Sequence, residues 1–252
     1  MEKRTDKNSY TLLFATAMVI VIGSLLAFIA SSLKSKIDEN KRIEKQQNIL
    51  YAMGVHENGN GNSTVAFIEA SNVAGEFSKY IKKQIVITDL DIVENNDAYL
   101  IDIKKEQTKA KAGGKRQLPL FIGKKDGKTY YIVPIRGIGL WDAIWAYVAM
   151  DENMTIQGAY FDHQAETAGL GANIKQRFFM DDFIGEKLLD DNGIFKGSTV
   201  SKSNSAPKND DKNDNEVDAI AGATITGDGV SAMIKSDLRL YQPYFENLKK
   251  TN

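Results

Sequence analysis

Asp218-Ala219-Ile220-Ala221-Gly222-Ala223-Thr224-Ile225-Thr226-Gly227 is the stretch on which the reading of this chain turns. Small residues lead to two hydroxyls. Beyond Gly227, apolar residues recur at helical spacing: Val230, Met233, Ile234, Leu238, Tyr241, Phe245 and Leu248. The segment 222–229 therefore delivers the chain into a helix N-terminus, with Asp228 as the expected N-cap. Free backbone N–H groups and the positive end of the helix dipole gather at such a place and suit a phosphate. Small side chains let a ligand approach the backbone closely. Taken alone, the decapeptide reads equally well as a glycine-rich helix-entry turn that holds nothing.

Far upstream, residues 12–33 carry no charge and consist mainly of Leu, Ile, Val, Ala and Phe. About 20 apolar residues at ~1.5 Å each cross a ~30 Å hydrocarbon core. A cleaved signal peptide would have a shorter apolar region, roughly 7–15 residues, and a small-x-small site, for which Ala30-Ser31-Ser32 is a poor match. The reading is an uncleaved anchor. Lys34, Lys36, Lys41, Arg42 and Lys45 follow the span and Lys3, Arg4 and Lys7 precede it, a bias that by itself keeps the C-terminal part inside the cell. With no carboxylate inside the span, ion passage through this segment is not expected.

Composition removes several function classes. Among 252 residues the net charge is −1, which gives no reason to expect nucleic acid. There is no cysteine, so disulfides, thiolate nucleophiles and cysteine-held clusters are excluded. Only His56 and His163 are present, too few for a histidine-rich metal site, and no metal ligands are assigned; His163, beside Asp162 and near Glu166, reads as a lone histidine of an exposed loop. No Gly-x-Ser-x-Gly elbow supports a hydrolase.

Between these ends, residues 35–55 are charge-rich with Ile37, Ile43, Ile49, Leu50 and Met53 on one helical face, a stalk that extends the anchor. Asn58-Gly59-Asn60-Gly61-Asn62-Ser63 breaks it. A weak helix is expected over 65–83, strands at 85–88 and 98–103, and a basic solvated loop over 104–117. Segments 118–123 and 129–135 flank Lys124-Lys125-Asp126-Gly127-Lys128, a hairpin signal. Further strands are expected at 154–162 and 194–201, and helices at 140–150 and 181–189. Hairpins and helices without regular alternation point to an α+β fold, a mixed or antiparallel sheet with flanking helices behind one N-terminal transmembrane helix. The polar run 201–216 reads as a mobile surface loop, which either leaves the motif within reach of a modifying enzyme or is equally well a disordered insertion of no consequence. The expected organisation is a short tail (1–11), the span (12–33), the stalk (34–56) and one domain (57–252).

Two further loops belong with the motif. Pro134-Ile135-Arg136-Gly137-Ile138-Gly139-Leu140-Trp141 sets glycines ahead of a bulky aromatic at an expected helix start, and Ala165-Glu166-Thr167-Ala168-Gly169-Leu170-Gly171 is a second small-residue loop. A flat heteroaromatic ligand needs apolar faces, which Leu140, Trp141 and Leu170 offer, and backbone donors at its polar edge. Trp141 serves equally well as an ordinary core tryptophan, and core packing is the simpler role for Leu170.

The Asp-x-x-Ala-Gly-Ala-Thr-x-Thr run resembles the flavinylation motif of FMN-binding domains. Together with the anchor, stalk, Arg-Gly-x-Gly-Leu-Trp and Glu-Thr-x-Gly-Leu-Gly, nearly the whole chain resembles the C-type subunit of the bacterial sodium-translocating NADH:quinone oxidoreductase. A related family, the G-type subunit of the Rnf complex, shares the anchor and the threonine-linked FMN; the start at Arg136 and the long N-terminal portion favour the quinone reductase. The resemblance implies FMN linked covalently to Thr226 through a phosphoester, with Asp218, Gly222, Ala223 and Thr224 in the recognised motif. It also implies that Leu140, Trp141, Glu166, Thr167, Gly169, Leu170 and Gly171 lie about the flavin. The implied role is electron relay, not turnover by the chain alone, in company with other subunits of the complex. The modifier it implies is a Mg-dependent FAD:protein FMN transferase. It places the C-terminal domain on the periplasmic side of the inner membrane, against the charge bias. Alternatives are an anchored FMN-binding regulator and an exported module without cofactor. Ala168 stands where the family has Pro, which costs rigidity and removes no ligand group.

Overall fold

The computed structural model describes residues 8–59, 64–89, 91–203 and 209–251. Asp126 and Gly127 both have positive φ, 50° and 77°, as a two-residue type I′ turn requires, and they join β3 (Leu118–Lys125) to β4 (Lys128–Ile138) as the sequence signals. Around this hairpin a six-stranded antiparallel sheet is ordered β2-β1-β3-β4-β5-β6, with β1 Ile81–Thr88, β2 Asp91–Glu94, β5 Ala143–Met150 and β6 Ile156–His163. A parallel pair, β7 (Thr199–Val200) and β8 (Glu216–Val217), stands apart from it. Helices are α1 Asn8–Ala52, α2 Val73–Tyr80, α3 Ile103–Lys111, α4 Arg177–Asp182, α5 Thr224–Asp237 and α6 Gln242–Thr251. The α+β expectation holds, with the sheet wholly antiparallel.

The chain divides into two units between Ile43 and Glu44. In the first, α1 presents Leu12, Leu13, Val19, Phe28 and other large apolar side chains outward. It is the one helix among the described residues long and apolar enough to cross a membrane. In the second unit the last turns of α1 bury Ile49, Leu50 and Ala52 completely. A Cβ at Gly158 of β6 would lie 2.3 Å from the Ala52 carbonyl oxygen, so only glycine permits this contact.

The core is aromatic where α4 meets β6: Phe161, Phe179 and Phe183 pack with ring centroids 4.9 to 5.5 Å apart. On the other side of the motif, α5 packs on β4 and buries Val230, Met233 and Ile234. Its last residue, Asp237, is buried and collects the Arg116 guanidinium at 2.8 Å, the Arg136 N–H at 3.0 Å and the Gln107 side-chain amide at 3.1 Å. This carboxylate ties α5 to α3 and β4.

Several sequence expectations fail for identifiable reasons. Residues 143–150 form strand β5, not a helix; both faces are covered, so the alternation that marks a strand is lost. Trp141 accordingly sits in a turn before a strand. The run 98–103 is not a strand: Ala98–Leu100 is a 3-10 turn, and Asp102 caps α3 by accepting the Lys105 N–H at 3.2 Å. Residues 103–111, read as a solvated loop, are helical, as their Lys, Glu, Gln and Ala content favours. The expected helix over 65–83 shrinks to α2 with β1 following directly, and that over 181–189 to α4, which ends at Asp182. Of the strand expected at 194–201, only β7 forms. The polar run 201–216 is not loose throughout. Asn209 donates to the Glu186 carboxylate at 2.9 Å, and Lys212 donates to the Asp182 carbonyl at 2.7 Å, while residues 204–208 lie outside the described set. Residues 1–7 of the expected tail and residues 60–63 of the expected break also lie outside it.

Replacing Asp237 with Ala leaves the Arg116 charge buried without its partner, and is expected to cost roughly 3–5 kcal/mol of unfolding free energy. Urea titration of the two chains measures it, and a loss below about 1 kcal/mol would remove the carboxylate's structural role.

Candidate functional site

Strand register brings the two glycine loops together. Ile138 pairs with Ala143 across β4 and β5, and Ile144 pairs with His163 across β5 and β6. The Leu140-Trp141-Asp142 turn and the loop after His163 therefore leave the sheet at the same end. The Gly139 N–H closes the first turn on the Asp142 carbonyl at 2.8 Å. Helix α5 joins them because Gly229 carries no Cβ: an added one would lie 2.3 Å from the Ile138 carbonyl oxygen. Three segments far apart in sequence thus meet, as sequence reasoning groups them.

At their meeting point the Thr226 hydroxyl donates to Glu166 Oε2 at 2.6 Å. Thr226 is 1% exposed and Glu166 7%. Glu166 Oε1 accepts the Trp141 N–H at 2.9 Å, and the Leu140–Asp142 turn lies beside the carboxylate. Burial alone would raise this carboxyl, but the Thr226 hydroxyl, the Trp141 N–H and the neighbouring amide dipoles of the turn favour its charged form and hold it below the usual glutamate value. Gly171 closes the space: a Cβ there would lie 2.3 Å from Glu166 Oε2 and 2.5 Å from Thr226 Oγ1.

Helix α5 begins at Thr224, not after Asp228, with Ala223 at the cap and no side chain bonding the first turn. Asp228 lies within the helix, exposed, 3.4 Å from Lys202. The first free helix N–H groups thus belong to Thr224, Ile225 and Thr226, earlier than the sequence pattern suggests. The Asp218 N–H donates to Asp182 Oδ2 at 2.7 Å, and burial followed by the Asp182 charge raises the Asp218 carboxyl.

Several large apolar side chains of the converging segments are exposed. Trp141 is 66% exposed, Leu140 47% and Leu170 42%, which rules out the core reading for Trp141 and Leu170. Trp141 Nε1 donates to Thr167 Oγ1 at 3.2 Å, fixing the indole to the Glu166 loop. Gly169, at φ 78°, turns that loop, and Leu170 lies over Gly222, where a Cβ would be 2.8 Å from its methyl. Two exposed neighbours escape sequence reasoning: Ile138, 69% exposed before the first loop, and Ile225, 58% exposed between the two hydroxyls. Ile225 fills a position of the motif where any residue fits the pattern, so spacing alone gives it no role. His163 is not in an exposed loop. It ends β6, half-buried, and its Nδ1 accepts the Glu166 N–H at 3.1 Å, helping to set that residue's backbone.

A carboxyl with a depressed folded value stabilises the fold above its unfolded value, and loses that contribution as pH falls through the folded one. Glu166→Gln is expected to lower unfolding free energy near neutral pH by ~1–2 kcal/mol. The deficit should shrink as pH drops below 4.5, the unfolded value. Denaturant titrations across acid pH measure this, and a deficit that stays constant with pH would refute the charged role.

Residues 139–239 match the family model for the FMN-binding domain, a segment that holds all three converging loops. The C-type subunit of the Na(+)-translocating NADH-quinone reductase of Haemophilus ducreyi is 32% identical over 98% of this chain and 96% of its own length. The corresponding subunit of Neisseria meningitidis serogroup A is 29% identical over 99% and 98%. Among solved structures, the C-type subunit from Parabacteroides distasonis superposes with TM-score 0.69 at 31% identity, over 84% of this chain and 96% of that one. NqrC of Shewanella oneidensis gives 0.65 at 25%, over 84% and 99%. Matched in sequence over almost its entire length and in fold over most of it, the chain belongs to the NqrC family, the C-type subunits of the Na(+)-translocating NADH-quinone reductases.

Proposed function

We propose that this chain carries FMN as a phosphoester on Thr226 and relays electrons between other redox groups of a Na(+)-translocating NADH-quinone reductase. The observation that carries the reading is the position of the Thr226 hydroxyl. It lies in the first turn of an α5 N-terminus without a side-chain cap, rimmed by the exposed faces of Leu140, Trp141 and Leu170. The residues present suit the group. N–H donors at Thr224, Ile225 and Thr226 complement a phosphodiester, and the apolar rim offers a surface for a tricyclic ring. FMN supplies reversible uptake of one or two electrons when bound. Trp141, Leu140 and Leu170 would keep water from such a ring, with Thr167 holding the indole in place. Glycines 169, 171 and 222 keep the nearby backbone clear of side chains.

A threonine hydroxyl is a weak nucleophile unaided, so attachment requires a separate enzyme, a Mg-dependent transferase with FAD as donor. The new bond joins Thr226 Oγ to the flavin-side phosphorus, and the pyrophosphate P–O bond breaks. AMP leaves with the electron pair, and the hydroxyl proton passes to a base on the transferase. Asp218 and Gly222 belong to what that enzyme reads. Covalent linkage prevents loss of the flavin from a domain exported to the periplasmic side, anchored by the single span in the inner membrane. Hydride transfer from NADH and quinone reduction fall to other subunits.

Coexpressed with the transferase, the chain is expected to be yellow, with colour surviving acid denaturation and the flavin mass on the peptide containing Thr226. Thr226→Val should fold and remain colourless. Covalent flavin retained in that variant, or none on the wild-type chain, refutes the assignment.

A further inference from the structure

We infer that Glu166 is a stand-in for the phosphate: its carboxylate occupies the seat at the Leu140–Asp142 turn, on the Trp141 N–H, that a phosphoester on Thr226 takes over, and it must leave before the ester forms. The inference rests on Thr226 being the attachment point. Its ground is a mutual exclusion. The 2.6 Å contact between Thr226 and Glu166 consists of a hydroxyl proton donated to a carboxylate. Esterification removes that proton, so an ester oxygen has nothing to donate, and it sets a second anion beside the first. Two like charges in a site this buried repel strongly.

Space gives the same answer. Thr226 is 1% exposed, and even one carbon added at Gly171 would overlap both its Oγ1 and Glu166 Oε2. A phosphate on Oγ1 is larger than that carbon, and its oxygens fall where the carboxylate now lies. The carboxylate is moreover held by the Trp141 N–H at 2.9 Å. A turn amide aimed at an oxyanion serves a phosphate as readily as a carboxylate. It is the Glu166 side chain that turns aside, about its own rotatable bonds, because the Glu166 N–H is held by His163 Nδ1 at 3.1 Å and Thr167 by the Trp141 indole. The residue therefore protects the hydroxyl in the unmodified chain and sets how readily a transferase reaches it.

The test measures covalent attachment by purified transferase with FAD and Mg2+, read as protein-bound flavin fluorescence after denaturation, on wild type and E166Q. Glutamine keeps an acceptor for the Trp141 N–H and brings no charge. Rates are compared well below each chain's melting temperature, with near-UV circular dichroism confirming the fold. E166Q is expected to acquire flavin roughly tenfold faster than wild type, the factor that loss of one charge-assisted hydrogen bond gives. The rise in Tm on linkage should also be larger for E166Q, which has no carboxylate to expel. Folded E166Q that is modified at the wild-type rate or slower overturns the inference, a slower rate meaning that the carboxylate assists the attack. Equal Tm shifts overturn the shared seat. Flavin on none of the chains, wild type included, overturns the attachment reading as well.

Discussion

Antiparallel pairing of β4 with β5, and of β5 with β6, is the constraint from which the site follows. Once Ile138 faces Ala143 and Ile144 faces His163, the Leu140–Asp142 turn and the Glu166 loop must leave the sheet side by side. A slip of one residue would exchange the two faces of β5 and carry Trp141 away from Glu166. Register is held by close packing on both faces, with Ile144, Ala146, Val148, Ala149 and Met150 all but fully enclosed. The sheet positions two loops, and the third segment arrives on a helix clamped at both ends. At one end Gly229 lies against Ile138, and at the other Asp237 receives Arg116 and the Arg136 amide.

Charge is concentrated where packing is tightest. Glu166 and Asp237 are both buried acids, and each is answered by donors from other segments: the Trp141 amide and a hydroxyl for one, a guanidinium, a backbone amide and a side-chain amide for the other. Asp237 has a full counter-charge, which suits a structural joint. Glu166 has only neutral donors, so its anion is held by dipoles and remains open to exchange with another anion of similar reach. The two carboxylates mark opposite ends of α5 with different physics.

How much of this is legible in the sequence depends on which signal each segment carries. The Asp126-Gly127 turn is readable because two adjacent positive φ angles demand that chemistry. The grouping of Thr226 with the loops at Leu140 and Glu166 is readable from motifs, and from a family resemblance that spans nearly the chain. Strand β5 passes for a helix because burial on both faces erases a strand's alternation; the β-branched and aromatic content of Ile144, Trp145, Tyr147 and Val148 is the remaining clue. Helix α3 passes for a loop because lysines suggest solvent, although Asp102 marks its start and Gly113, at φ 84°, follows its end. No spacing rule could reveal that Thr226 is buried and bonded to a residue 60 positions away.

Asn209 and Lys212 moor the segment ahead of the motif. Their amide and ammonium groups hold the chain to the Asp182 carbonyl, and Asn209 also grips the Glu186 carboxylate. The parallel pairing of Glu216 and Val217 with β7 then leads directly to Asp218. Any change of length between Lys202 and Asn209 is taken up before that mooring. The hold of Asn209 and Lys212 on Asp182 thus stands between the polar run and the helix entrance, and carries strain from upstream into α4 before it meets the segment that leads to Thr226.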